Sequence, residues 1–195
     1  MKIIGDKTYL VPFTEEHLNN PRYYEWLSDI EVIKYIGREE YLMPVQFKEV
    51  QEYVQNLWKD EKCAFFAAYR TKDNKFLGSA KMNYVNEAGF RDRIVDIGIM
   101  VGEKSCWGQG LATDILMSMC RYSFEVLGAR KLSAGAVSDN VGVLKAFSKI
   151  GFFEEGRLRK KVFVEGKYID HVLLGCFQEE LNISMKNDDE YCKQK

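Results

Sequence analysis

The sequence has no CxxC pair, only two histidines, and an odd set of five cysteines: Cys63, Cys106, Cys120, Cys176 and Cys192. A structural zinc site needs closely spaced Cys and His ligands, and a disulfide framework needs an even set. Neither is expected, so no metal is expected. A reducing cytoplasm fits this cysteine usage. An excess of one charge is missing as well, since 28 Lys and Arg stand against 29 Asp and Glu. The densest basic cluster, Arg157, Arg159, Lys160 and Lys161, is too small for a phosphate-backbone footprint, so nucleic acid is not an expected partner. No apolar run approaches the roughly 20 residues of a membrane span. The opening MKIIGDKTYLVPF is too interrupted for a signal-peptide core.

What is present suits one domain. The chain has 195 residues, 46% hydrophobic and 13% aromatic, enough for a single sizeable core. Residues 1–178 are expected to form that domain, and the polar stretch 179–195 a frayed tail. A short strand is predicted over Thr8 to Phe13, then one or two short helices with Tyr23, Trp26, Leu27, Ile30 and Ile33 at helical spacing. Phe47, Val50, Val54, Leu57 and Trp58 mark one face of a helix that Pro44 can open. Strand patterns follow at Cys63 to Tyr69, Phe76 to Val85 and Ile94 to Val101. The period then switches to a helix carrying Leu111, Ile115, Met119, Tyr122 and Val126, with Gly128 as a C-terminal stop. A strand over Leu132 to Val137 and a helix ending at Gly151 come next. Two strands, Phe152 to Val164 and Lys167 to Phe177, flank a Glu165-Gly166 hairpin turn.

The segment from Val101 to Thr113, VGEKSCWGQGLAT, carries the chemistry. It joins a strand to an amphipathic helix. Gly108 and Gly110 let backbone approach a ligand, and the helix start offers free N–H groups to a diphosphate. A GxG pair by itself also serves as a plain turn. The GK[ST] ending of a P-loop and the third glycine of the dinucleotide fingerprint are both missing.

WGQGLATD after DIGIMVGEKS resembles motif A of the GNAT superfamily of N-acetyltransferases, and within it the branch of ribosomal-protein N-terminal and spermidine acetyltransferases. The family pattern [RQ]-x-x-G-x-[GA] falls here on Trp107, Gly110 and Ala112, with Trp107 a departure at the first position. Asn140 to Phe152, NVGVLKAFSKIGF, resembles the family's motif B. The closing GRLRKKVFVEGKYIDHVLLG is similar to this branch's final hairpin. The resemblance implies an α+β fold, with a mixed, mostly antiparallel sheet of about seven strands flanked by helices on both faces. It also implies acetyl-coenzyme A as co-substrate. The diphosphate would lie at Trp107, Gly108, Gln109, Gly110, Leu111, Ala112 and Thr113. Ile99, Met100 and Val101 would line the pantetheine, with Asn140, Lys145 and Phe147 on the second motif.

Acyl transfer to an amine needs a neutral nucleophile and a donor for the oxyanion. Asp96 is the candidate base, and the alternative is a surface residue paired with Arg91 or Arg93. A backbone N–H, at Ile99, is the candidate oxyanion donor. Glu103 is a second base candidate, with a solvated role favoured. Asn140 reads as a helix cap and also as a coenzyme contact, with Asp139 able to cap in its place. Lys145 and Lys149 face either coenzyme phosphates or solvent. Phe147 stands where many relatives have a proton-donating Tyr, so no general acid is assigned, and Ser148, Tyr168 and water remain open. Cys106 and Cys120 read as packed thiols. Aromatic residues from Tyr23 to Tyr41, and Asp170 with His171, are candidates for the acceptor side. The expected acceptor is a protein N-terminus, a polyamine or a small amine, with a nucleotide-linked amino sugar as alternative. A silent acyl-coenzyme A sensor is the alternative of another class. A homodimer is left open.

Overall fold

The computed structural model describes residues 1–36, 46–84 and 91–182. One eight-stranded sheet runs through it in the order β1-β2-β3-β4-β5-β6-β8-β7. The strands are β1 (Ile3–Ile4), β2 (Thr8–Pro12), β3 (Cys63–Arg70), β4 (Lys75–Tyr84), β5 (Ile94–Val101), β6 (Lys131–Val137), β7 (Phe153–Val164) and β8 (Lys167–Phe177). All the expected strands form. The two-residue β1 is the addition, too short to carry a periodic signal.

Six helices whose bounds lie within the described residues cover the two faces: α1 (Glu15–Leu18), α2 (Pro21–Ser28), α3 (Ile30–Ile33), α4 (Phe47–Lys59), α5 (Leu111–Glu125) and α6 (Val141–Ile150). Local chemistry sets their starts. Asn20 Oδ1 accepts the Arg22 N–H at 3.0 Å with Pro21 in the first turn, and Asp29 Oδ1 accepts the Glu31 N–H at 3.0 Å. Glu49 accepts the Gln46 N–H at 2.9 Å, which starts α4. Pro44 and Val45 lie outside the described residues, as do Tyr41 and Cys192. Glu165 (φ 46°) and Gly166 (φ 84°) both take positive φ, the two-residue turn that suits the twist of a β-hairpin.

The sheet separates two apolar clusters. On one face Leu77, Ile97, Ile115, Leu116, Met119, Leu132 and Ile150 are buried under α5 and α6. On the other, Phe13, Tyr23, Trp26, Val50, Val54 and Ala67 pack under α1, α2 and α4. A third, smaller group joins Tyr35 after α3 to Val137, Val164 and Ile169, so the α3 end reaches the final hairpin. The packed chain runs on through a 3₁₀ turn at Gln178–Glu180 to Leu181, which is buried, and Asn182, whose amide donates to the Lys149 carbonyl. Among the described residues no helix is long and apolar enough to cross a membrane.

Candidate active site

Six of the seven strand pairings are antiparallel. The exception is the parallel pair β5 and β6, which meet only at Ile94, Val95 and Asp96 opposite Lys131, Leu132 and Ser133. Past that point β6 continues against β8 alone, and β5 against β4 alone. A wedge therefore opens between them. Because the strands are parallel, both C-terminal ends lie at its mouth. One leads into the loop before α5, the other into Asn140 and α6.

Which groups face the wedge follows from the ladder. The Gly102 N–H bonds the Leu77 carbonyl at 2.8 Å, and the β4–β5 register holds without a shift from Val101 to Val95. Antiparallel residues alternate between facing their partner strand and facing away. Asp96, Gly98 and Met100 thus turn their backbone groups to β4. Ile97, Ile99 and Val101 turn theirs to the β6 side, where Ile97 closes the pairing at Ser133 and Ile99 and Val101 face the wedge. The Arg93 carbonyl agrees with this parity, accepting the Arg130 N–H at 2.8 Å on the β6 side. The Ile99 N–H, the expected oxyanion donor, thereby faces the wedge. Met100 is a correction to the expected lining, because its backbone faces β4 and its side chain packs with the Trp26 cluster on the opposite face.

The loop between β5 and α5 is held open from several sides. Gly108 (φ 72°) and Gly110 (φ 75°) both occupy the left-handed region, where a side chain is strained. Gly110 stands at the N-cap with no side-chain cap on α5, so the first-turn N–H groups point outward. Trp107 donates its indole N–H to the Val101 carbonyl at 2.8 Å, and Gln109 donates to the Ser105 carbonyl at 2.8 Å. Leu111 is buried, so only its backbone is available, while Ala112 and Thr113 are half-buried beside it. Asp114, which would oppose an anion, is turned to the β1–β2 turn instead. It accepts the Asp6 and Lys7 N–H groups at 3.0 and 3.1 Å and the Thr8 hydroxyl at 2.6 Å.

Across the mouth, Asn140 Oδ1 accepts the Val143 N–H at 3.3 Å and so caps α6, while Asp139 pairs with Lys167 at 2.7 Å. Lys145 is exposed. Phe147 is buried, its ring 4.9 Å from that of Phe152. Ser148 is exposed and Tyr168 is 65% exposed.

Asp96 sits at the apex, at the last residue paired with β6. Its Oδ2 accepts the Ser133 hydroxyl at 3.1 Å. Burial pushes its carboxyl above the ordinary carboxylate value, against the Ser133 hydrogen bond and the charge of Lys81. Arg91 pairs with Asp92 instead. Glu103 corrects the solvated role expected for it. It is buried and bound by Arg22 at 2.8 Å, by Lys75 at 3.3 Å and by the Ser105 hydroxyl. Burial alone would raise its carboxyl, but Ser105, Lys75 and Arg22 hold it below the usual value. With Lys104 on Asp29 at 2.5 Å, this carboxylate ties the loop to α2 and α3. Cys106 and Cys120 are buried, and burial raises the Cys120 thiol well above its ordinary value. His171 lies over Gly135 on β6, lowered by burial and by Lys161. Asp170 accepts the Lys160 N–H at 2.9 Å and faces Arg157 at 3.6 Å. Ser133, Lys81 and Asn83, the neighbours that define the environment of Asp96, carry no sequence signal of their own, because only strand pairing brings them together. Among the described residues no group of His, Cys, Asp and Glu could hold a metal ion.

The chain as a whole is similar to known proteins. Residues 7–153 match the acetyltransferase (GNAT) domain. The chain is 26% identical over 178 residues to a probable N-acetyltransferase, YjcK, of Bacillus subtilis, covering 87% of this chain and 93% of that protein. It is 26% identical over 156 residues to an N-acetyltransferase 9-like protein of Nematostella vectensis, covering 77% and 76%. Its fold is similar to that of spermidine N-acetyltransferase from Vibrio cholerae in complex with CoA and spermine. That match has a TM-score of 0.77 and 20% identity, over 89% of this chain and 97% of that one. It is also similar to RimJ of Mycobacterium smegmatis in complex with CoA-disulfide, with a TM-score of 0.73 and 20% identity over 90% and 84%. With the strand wedge, the loop glycines and the domain match in agreement, the chain belongs to the GNAT acetyltransferase family of acyl-coenzyme A-dependent N-acetyltransferases.

Proposed function

We propose that this enzyme transfers an acetyl group from acetyl-coenzyme A to a primary amine by direct attack, with Asp96 as base and the Ile99 N–H as oxyanion donor. The observation that carries this reading is the separation of β5 from β6 after Asp96 and Ser133. It leaves a carboxylate at the apex of a wedge whose wall carries the outward N–H groups of Ile99 and Val101.

The residues present fit the coenzyme. Gly108 and Gly110 leave the α5 start uncapped and open, so backbone groups from Trp107 to Thr113 would hold the diphosphate. Trp107 covers the Val101 carbonyl and leaves the Val101 N–H for the pantetheine arm. Asn140, having spent one acceptor site on its helix, keeps its amide N–H groups for the same arm. Phe147 walls that side without a polar contact, and Lys145 lies on the exposed side of α6 toward the phosphates. Acetyl-coenzyme A supplies a thioester carbonyl and a thiolate leaving group. At the apex, Asp96 takes the amine proton, and burial makes its carboxylate a stronger base than an ordinary one. The Ile99 N–H meets the developing oxyanion. No side-chain acid is required, since a thiol of ordinary pKa about 8.5 leaves readily as thiolate.

Acceptor classes are a protein N-terminus, a polyamine or a small amine, with amino sugars as the alternative within this chemistry. The test is thiol release from acetyl-coenzyme A over a panel of peptides with free N-termini, spermidine and amino sugars. Turnover on one class supports the reading. Coenzyme binding with no turnover on any amine would mark the chain as a sensor. Asp96→Asn should lower turnover and move the rate profile toward higher pH, because the amine must then arrive already neutral. An unaltered profile removes Asp96 as base.

A further inference from the structure

The half-buried amide of Asn83 on β4 is one polar group that neither the fold nor the chemistry above uses. Its Oδ1 is shut away from solvent and, among the described residues, has no hydrogen-bond partner. Among the described residues its Nδ2 reaches only the adjacent Tyr84 carbonyl, at 3.5 Å. An unmet buried acceptor is destabilising, so the position calls for a reason.

The register supplies one. Asn83 is directly opposite Asp96, and by the ladder parity the two form a hydrogen-bonded pair with side chains on the same face. Such pairs hold their Cβ atoms about 5 Å apart. Cys63, Asn83, Asp96, Ser133 and Gly175 form one row across five strands. Within it, Asp96 Oδ2 is engaged by Ser133, which leaves Oδ1 for the other side of the row, where Asn83 stands.

We infer that Asn83 is a positioning residue for Asp96, its Oδ1 accepting the hydrogen bond of the neutral carboxyl that exists once Asp96 has taken the amine proton. The inference rests on Asp96 being the base. In the step, the ammonium N–H bond breaks with its electron pair left on nitrogen, and the proton forms an O–H bond on Asp96. That O–H then donates to Asn83. One hydrogen bond thereby satisfies two buried groups. Before the transfer, the Asn83 carbonyl dipole faces an ionised carboxylate and opposes it, which favours proton uptake.

The other groups around Asp96 constrain the test. Lys81 lies two residues from Asn83 on the same face of β4, and Cys63 is on β3. Lys131 on β6 is paired with Glu155 of β7 at 2.6 Å, and His171 of β8 lies over Gly135. None is altered by Asn83→Leu, which keeps the branched shape and admits no water. Aspartate-labelled protein would be titrated by carbon NMR, with Asp96→Asn identifying the resonance. No amine and no turnover are needed, so failure here is distinct from failure of the acetyltransfer reading. In Asn83→Leu the Asp96 midpoint should fall by about one pH unit, the tenfold effect of a single hydrogen bond. An unchanged midpoint overturns the inference. A raised one also overturns it, because that would mean the amide had been donating to the carboxylate. Should Asn83→Leu not fold, Asn83→Asp places two carboxyls face to face and should raise the midpoint. No movement there shows that the two side chains do not meet.

Discussion

Gly110 is where the coenzyme placement can be tested most directly. Its φ of 75° lies in the left-handed region, and a side chain built there meets only the Lys7 ammonium, at 3.6 Å. A substitution therefore has room but is strained, by roughly 1–2 kcal/mol for a non-glycine residue. Gly110→Ala carries that strain and nothing more. Gly110→Asp adds a negative charge at the N-terminus of α5, which the helix itself tolerates well. In the free protein Lys7 can pair with it, so the two variants should melt within a few degrees of each other. With coenzyme bound, the same carboxylate would face a diphosphate. At ~5 Å, one pair of like charges repels by about 1 kcal/mol in water and about 3 kcal/mol at the effective dielectric of a protein surface. Coenzyme A affinity by titration calorimetry should thus be about 5- to 150-fold weaker in Gly110→Asp than in Gly110→Ala, a gap that narrows as salt is raised. Equal affinities for the two variants would refute the position assigned to the diphosphate. An affinity gap that salt leaves unchanged would refute its electrostatic cause.

Asp96 should reveal itself in stability as well as in rate. Its folded carboxyl is raised by burial, so between the unfolded and folded midpoints the native state binds the extra proton and stability falls as pH rises. Asp96→Asn should accordingly melt higher than the parent above that interval and match it below about pH 4, where aspartate is neutral in both states. A parent that is the more stable of the two at neutral pH would contradict the buried-charge reading. Phe147→Tyr restores the hydroxyl that many relatives carry. Phe147 is only 2% exposed and its ring packs on Phe152. The added hydroxyl should lower stability by about 1–3 kcal/mol unless it finds a partner, without raising turnover. A stable variant with faster thiol release would show that a proton donor at this point does contribute.

Much of this protein is local in origin, and that part is legible in the chain. Asn20-Pro21 starts α2, Asn140 caps α6, Glu165-Gly166 turns the last hairpin, and Gly108 and Gly110 turn the backbone at the uncapped head of α5. Each depends on groups within a few residues of one another, so composition and spacing are sufficient to find them. Asp96 was also visible, as an acidic residue at the start of a strand that leads to the loop. Its environment was not. Ser133 and Asn83 lie on strands 37 and 13 positions away in number, and only the register of three adjacent strands sets them on either side of the carboxylate. The same holds for Glu103, which in sequence is one charge among many. It is buried because Arg22 arrives from α2 and Lys75 from the start of β4. Nor could spacing separate Met100 from its neighbours Ile99 and Val101. That distinction comes from which strand each peptide group faces, and a strand has no facing until it is paired. Sequence thus determined the elements, their ends and the loop chemistry, because those forces act at short range along the chain. The wedge and the half-buried carboxylate, with Ser133 and Asn83 on either side, were decided by tertiary pairing, where burial and strand register set the free energy of a charge.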